Sequence, residues 1–267
     1  MELTGTVGIL TGASRGIGVY LAQHLARAGV NLALAARSET NLEAVATMVR
    51  GKGVKAVGIP TDVTKRSDLQ RLVKRTNDEL GEIDLLVNNA GIEHYSFFEQ
   101  IEPNDVEKVL KTNVLGPQLL TRYVLPQMIE RRRGHIVNIG SVAGLTAMPY
   151  NTVYSSSKHA LVGFSRSLRE EMAEYNIGVS VVCPGYVSEA GMFQSSKDGA
   201  EPPGITGSVS PDRVAVRTIK AIRKNCSEII VAPGIIRFVD VMHSLVPGVT
   251  TKIARRTGAY EFSKPKS

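Results

Sequence analysis

Long apolar runs are missing from this chain of 267 residues: none approaches the roughly 18 residues that a membrane-spanning helix needs. Cysteine is scarce. Cys183 and Cys226 form neither a disulfide framework nor a metal-binding pattern, which suits a reducing compartment. Cys183 reads as a buried small hydrophobe rather than a reactive thiol. A strand-like pattern starts within a few residues of Met1 and leaves no room for a signal peptide, so a cytoplasmic protein is expected. Internal repeats and low-complexity tracts are absent, which excludes a solenoid. No basic patch is interleaved with aromatics, so the formal charge of +7 does not point to nucleic acid. Its densest run, Arg131-Arg132-Arg133 before Gly134, reads as a cationic helix C-terminus with a glycine stop. Polyphosphate binding and ordinary surface charge account for the excess.

What is present is an α/β pattern. A hydrophobic share of 43% and a charged share of 21% are ordinary for a soluble globular chain, and the length allows one α/β domain with a sizeable core. Short apolar runs alternate with longer helical patterns, as in βαβ units with a parallel sheet. Strands are expected near 7–10, 31–36, 55–59, 85–88, 135–139, 179–183 and 228–232. Helices are expected near 16–28, 40–50, 67–80, 104–131, 151–175 and 211–224.

Directly after the first strand comes Thr11-Gly12-Ala13-Ser14-Arg15-Gly16-Ile17-Gly18. Glycines there let the backbone turn sharply and approach a pyrophosphate, and the helix that follows offers free N–H groups and the positive end of its dipole. The spacing is Gly-x-x-x-Gly-x-Gly rather than Gly-x-Gly-x-x-Gly, but its place between strand and helix favours phosphate binding over a plain turn. The second strand ends in Ala36-Arg37-Ser38, where an acidic residue would bind a ribose hydroxyl and repel a 2′-phosphate. Arg37 and Ser38, with Arg15 adding charge, favour NADP(H) over NAD(H); the plainer alternative is a solvated helix start with Ser38 as cap. Asp62-Val63 ends the third strand within reach of an adenine. Asn88-Asn89-Ala90-Gly91 ends the fourth, where small residues permit close approach and the amides can tie strands together. Glu93, His94 and Tyr95 follow in a loop expected to face a substrate cleft; His94 is not nominated as catalytic.

Tyr154-Ser155-Ser156-Ser157-Lys158 places a phenol and an ammonium four residues apart on one helix face. An unperturbed phenol titrates at roughly 10, and a fixed positive charge beside it favours the phenolate, which would suit the pair to acid/base work. On its own the spacing is common on solvated helices. Ser141, after the fifth strand, lies at the ligand-binding edge of such a sheet, and Asn113 sits in the long helix before it where helix propensity does not explain it.

With these residues in this order, the chain resembles the short-chain dehydrogenase/reductase family over roughly residues 5–232. The resemblance rests on Thr-Gly-x-x-x-Gly-x-Gly at 11–18, Asn-Asn-Ala-Gly at 88–91, and Asn113, Ser141, Tyr154 and Lys158. It implies that Tyr154 donates or accepts the proton and Ser141 orients the substrate oxygen. Lys158 would lower the phenol pKa and hold the nicotinamide ribose, and Asn113 would support a water-linked relay. Hydride would pass directly between nicotinamide and substrate carbon, with no metal. The implied cofactor contacts are Gly12, Ser14, Arg15, Gly16, Ile17, Gly18, Arg37, Ser38, Asp62, Val63, Asn89, Ala90, Gly91, Tyr154, Lys158, Pro184, Gly185 and Val187. Many relatives carry Thr two residues after that Val; here Ser188 and Glu189 occupy the region, and Ser188 is the candidate substitute.

The expected fold is one doubly wound Rossmann-type domain over 1–267, a seven-stranded parallel sheet in the order 3-2-1-4-5-6-7 with helices on both faces. Residues 189–209 read as a substrate lid, and 235–267 as a C-terminal extension that covers the substrate mouth or forms an oligomer contact, with a membrane or lipid contact as the sharper alternative. The expected function is NADP(H)-dependent reduction of a carbonyl or oxidation of the matching alcohol, leaning toward a bulky apolar substrate. A 3-oxoacyl thioester reductase and a non-catalytic NADP(H)-binding regulator are the alternatives. A homodimer or homotetramer is expected.

Overall fold

In the computed structural model, residues 1–188 and 207–233 are described, with five single positions beyond them (Gly248, Lys252, Arg255, Arg256 and Lys264). Most of the expected lid and of the C-terminal extension lies outside the described residues. Seven strands form one sheet: β1 (Val7–Thr11), β2 (Asn31–Ala36), β3 (Ala56–Pro60), β4 (Leu85–Asn88), β5 (Gly134–Ile139), β6 (Ile177–Pro184) and β7 (Glu228–Val231). Every pairing is parallel, as the alternating pattern suggested, and the order is β3-β2-β1-β4-β5-β6-β7, as expected once the family resemblance is added.

The helices are α1 (Ile17–Arg27), α2 (Glu39–Arg50), α3 (Arg66–Leu80), α4 (Pro103–Leu110), α5 (Gly116–Arg131), α6 (Thr152–Ala173) and α7 (Pro211–Lys224). Successive strand side chains point to opposite faces, and both faces here are apolar. Leu10, Leu32, Leu34, Leu85, Val87, Val137 and Ile139 pack with α1, α2 and α7, through Leu21, Leu25, Leu42, Val49, Val214 and Ile222. Their neighbours Ile9, Ala33, Ala35, Leu86 and Ile136 face the other way, onto Leu69 and Leu72 of α3, Leu120, Val124 and Met128 of α5, and Leu168 and Met172 of α6. Such near-continuous hydrophobic runs are what a parallel sheet covered on both sides demands. No helix among the described residues is long and apolar enough to cross a membrane.

Two local features differ from expectation. The single helix expected over 104–131 is interrupted by a π turn, Lys111–Leu115, centred on Asn113. The basic run also ends differently: Arg132, not glycine, takes the left-handed C-cap of α5 at φ 48°. Gly134 instead opens β5, because a Cβ there would lie 2.5 Å from Met128 Sδ. Arg131 and Arg133 reach Asp84 at 2.8 and 3.3 Å, so part of the basic run is paired within the fold.

Candidate active site

The sheet order reverses at β1 and β4, and a crevice outside the strand C-termini at such a point is where α/β sheets bind ligands. The glycine turn stands there. Gly12 has φ 65°, and a Cβ on it would press to 2.9 Å on Ala90 Cα. Gly18 lies so close beneath Gly12 that a Cβ would collide with the Gly12 carbonyl oxygen. The turn is thus folded onto the start of α1, and Gly16, the N-cap residue, provides no side-chain cap. The first N–H groups of α1 remain available for an anion. Ser14, Gly16 and Ile17 are half-buried along this turn, and Arg15 is exposed.

β4 pins the turn from below. The Thr11 hydroxyl accepts from the Asn89 and Ala90 N–H groups, each at 3.0 Å, and the Asn89 amide donates to the Thr11 and Gly12 carbonyls at 3.0 and 3.1 Å. Asn88 turns to the other face: it donates to Asn138 Oδ1 at 2.9 Å, and Asn138 donates to Ser165 of α6 at 2.8 Å. The pair of asparagines does tie neighbouring strands together.

At the end of β2, Arg37 and Ser38 are exposed. Ser38 is the N-cap of α2, its hydroxyl accepting from the Asn41 N–H at 3.4 Å. Neither Arg15 nor Arg37 has an ion pair among the described residues. Asp62 and Val63 lie just beyond β3. The Asp62 carboxylate is engaged by Thr64, accepting from its N–H at 3.0 Å and its hydroxyl at 2.7 Å.

Asn113 is fully buried in the π turn. Its Oδ1 accepts from the Ile92 N–H at 2.9 Å, and its Nδ2 donates to the Ile92 carbonyl at 2.8 Å and the Ser157 hydroxyl at 3.0 Å. The amide clamps the loop after β4 against α6. Gly91 fits between Asn113 and Lys158, where a Cβ would lie 3.4 Å from Asn113 Oδ1 and 3.7 Å from Lys158 Nζ.

Ser141 follows β5 and caps a short 3₁₀ turn, Val142–Gly144, its hydroxyl accepting from the Ala143 N–H at 3.1 Å. Its hydroxyl donates to the Pro184 carbonyl at 3.4 Å and is near enough to the Tyr154 phenol to favour the phenolate. Tyr154 and Lys158 are 7% and 3% exposed, on the buried face of α6. Lys158 Nζ lies 5.5 Å from the centre of the Tyr154 ring and donates to the Ile139 carbonyl at 2.8 Å. Burial pushes the Tyr154 phenol above its ordinary value; the Glu93 carboxylate pushes it further, and the nearby Ser141 hydroxyl opposes both. The sequence suggested a lowered phenol pKa, and here the opposite direction holds, because desolvation of a buried phenolate outweighs its surroundings. Burial drives Lys158 itself down to about 8.

Pro184, the last residue of β6, is buried, as is Val187 beyond it, and the Gly185 N–H donates to the Val231 carbonyl at 3.0 Å. Ser188 is directed to the neighbouring segment, its N–H and hydroxyl reaching the Val209 carbonyl at 3.0 and 3.4 Å. A cavity of about 480 Å³ lies at the other end of the strands, lined by Met1, His135 and Asn225 among others, away from Tyr154. Sequence reasoning passed over Asn151, which is buried at the start of α6 with its amide 3.4 Å from Glu93. Read as a helix start alone, it carries no signal of that contact.

A glycine turn at the switch point of a doubly wound sheet, with a buried Tyr–Ser–Lys set beside it, defines the class: an α/β oxidoreductase. A model of the family described as short chain dehydrogenase matches residues 6–201. The ketoacyl reductase HetN of Nostoc sp. is 37% identical over 270 aligned positions, which cover 99% of this chain and 93% of that one. Two solved structures superpose closely. A variant of actinorhodin polyketide ketoreductase with NADPH gives a TM-score of 0.81 at 30% identity, over 88% of this chain and 98% of that chain. A short chain dehydrogenase/reductase from Burkholderia phymatum in complex with NAD gives 0.83 at 28% identity, over 92% and 96%. The protein belongs to the short-chain dehydrogenase/reductase family.

Proposed function

We propose that the protein reduces a carbonyl to an alcohol with NADP(H), or runs the reverse oxidation. The observation that carries this reading is the burial of Tyr154 and Lys158 on one face of α6, with Lys158 Nζ 5.5 Å from the centre of the Tyr154 ring. A phenol held above its usual pKa is protonated at neutral pH, which is the form a reduction consumes. Ser141 can hold the substrate oxygen against that phenol, and Asn113 keeps the surrounding loop in place. The bound nicotinamide would supply the hydride. The close-folded turn at Gly12 and Gly18, with the uncapped start of α1, fits a pyrophosphate. Arg15 and Arg37 fit a 2′-phosphate. The remaining cofactor contacts are assigned to Ser14, Gly16, Ile17, Ser38, Asp62, Val63, Asn89, Ala90, Gly91, Pro184, Gly185 and Val187.

A 3-oxoacyl thioester is the substrate reading that the relatives favour, since the ketoacyl reductase HetN and a polyketide ketoreductase stand among them. Exposed Leu110 and Leu115, at the junction of α4 and α5, support pairing of subunits as a homodimer or homotetramer. The function is tested by following NADPH absorbance over a panel of ketones and 3-oxoacyl thioesters. Tyr154→Phe should still bind NADPH but lose about 10²–10⁴-fold in turnover. Near-normal turnover in that variant would end the assignment. Binding of NADPH with no carbonyl reduced would favour the regulator instead.

A further inference from the structure

The loop after β4 brings to the cleft a carboxylate that the proposed chemistry does not use. Glu93 follows Ile92, whose N–H and carbonyl are both held by Asn113, so its backbone is fixed. Its charge acts on Tyr154, Tyr95 and Lys158, so it stands near the acid/base pair. The Asn151 amide donates to Glu93 Oε2 at 3.4 Å. In this orientation Asn151 Oδ1, in a residue 1% exposed, has no hydrogen-bond partner among the described residues. An unpaired buried oxygen is destabilising, and such exceptions in a folded protein call for an explanation.

The same wall carries backbone strain. Tyr150, next to Asn151, adopts φ 63°, a left-handed conformation that bulky side chains rarely take. It is held there by the Ser96 N–H, which donates to its carbonyl at 2.9 Å, and by the Phe97 ring, edge-on with centroids 5.4 Å apart. Strain and an orphaned oxygen thus sit together in the segment that positions Glu93, and stored strain of this kind concentrates at ligand-binding sites.

Building on the carbonyl-reduction reading, we propose that Glu93 is a specificity-determining residue: its carboxylate accepts a hydrogen bond from a hydroxyl or N–H that the substrate carries beside its reacting carbonyl. Asn151 is the positioning residue that aims the carboxylate. An ionised carboxylate is an acceptor only, so a matching ligand group must donate. A wholly apolar ketone offers the carboxylate no donor and is disfavoured. A substrate carboxylate at that position is repelled.

The test uses acetoin and benzoin, each against its methyl ether, which keeps the ketone and removes the donor. Wild-type kcat/KM with NADPH should favour the free hydroxyl by about tenfold or more, the usual return on a hydrogen bond to a charged group. Glu93→Gln should bring that ratio toward one, with Glu93→Asp and Asn151→Ala between. A second readout needs no turnover: calorimetric binding of the corresponding diols and their monomethyl ethers to the NADPH complex should show the same preference. A wild-type ratio near one, or equal losses on both members of a pair in Glu93→Gln, would overturn the proposal, as would no measurable affinity for any diol. Preferential diol binding without reduction of any ketone would uphold Glu93 and sink the proposed activity instead.

Discussion

The sharpest test of cofactor choice is the double change Ala36→Asp with Arg37→Ala. Ala36 is the last residue of β2, and its carbonyl accepts from the Thr61 N–H at 2.8 Å, a backbone contact that an aspartate retains. Arg37 is exposed, and the N-cap of α2 is Ser38, so removing the guanidinium leaves the helix start intact. The variant should therefore melt close to wild type. A charge-assisted bond contributes about 1.5–3 kcal/mol, and solvent screening at an exposed arginine favours the lower end. At about 1.4 kcal/mol per decade, NADPH should weaken at least roughly tenfold. NADH should be unaffected or improved, because the new carboxylate can accept from its free ribose hydroxyls. Exposed Arg15 can retain part of the phosphate attraction and leave a residual preference. Fluorescence titration of both cofactors at about 0.1 M and about 1 M salt reads both effects, since the Debye length falls from about 10 to about 3 Å and the wild-type preference should shrink with it. Equal loss of both cofactors, or a wild type that prefers NADH, would refute the reasoning.

Other outcomes follow from the same geometry. Burial holds Lys158 at about 8, so the side chain is charged below that pH and neutral above it. Cofactor affinity resting on the charge should fall as pH rises from about 7 to about 9, and this fall should vanish in Lys158→Ala. Gly134→Ala should destabilise by about 1–3 kcal/mol through its clash with Met128, and Met128→Ala should give back part of the loss in a urea melt. Asn113→Ala leaves the Ile92 backbone groups and the Ser157 hydroxyl without that partner, at about 1–3 kcal/mol. Faster hydrogen exchange at the Ile92 amide would report it; unchanged exchange would contradict the clamp.

Strand positions were legible to within two residues because each strand is an apolar run bounded by turn residues, and all but the edge strands β3 and β7 are buried on both sides. The sheet order followed from that pattern together with the family resemblance. The π turn at Asn113 was not legible: it depends on a hydrogen-bonded partner twenty-one residues earlier in the chain, Ile92, and not on local propensity. Arg132 as a left-handed cap contradicts the glycine rule for a comparable reason, since Met128 needs the glycine two residues on. The catalytic spacing placed Tyr154 and Lys158 on one helix face, but the direction of the phenol shift depended on how deeply α6 buries that face. Glu93 was legible as part of a loop facing the cleft, and Asn151, which donates to its carboxylate, was not.

Asn88 and Asn89 have a mechanical consequence. The glycine turn belongs to the first half of the chain and Tyr154 to the second, and these two asparagines stand at the seam, one fastened to the turn and the other, through Asn138, to the helix that carries Tyr154. The offset between the two halves of the site is therefore set by a short chain of bonds of about 3 Å, and errors do not accumulate across the sheet. Shifts in outlying helices can be absorbed by their loops without reaching the reacting groups, whereas a change at this dipeptide alters the alignment of both halves at once.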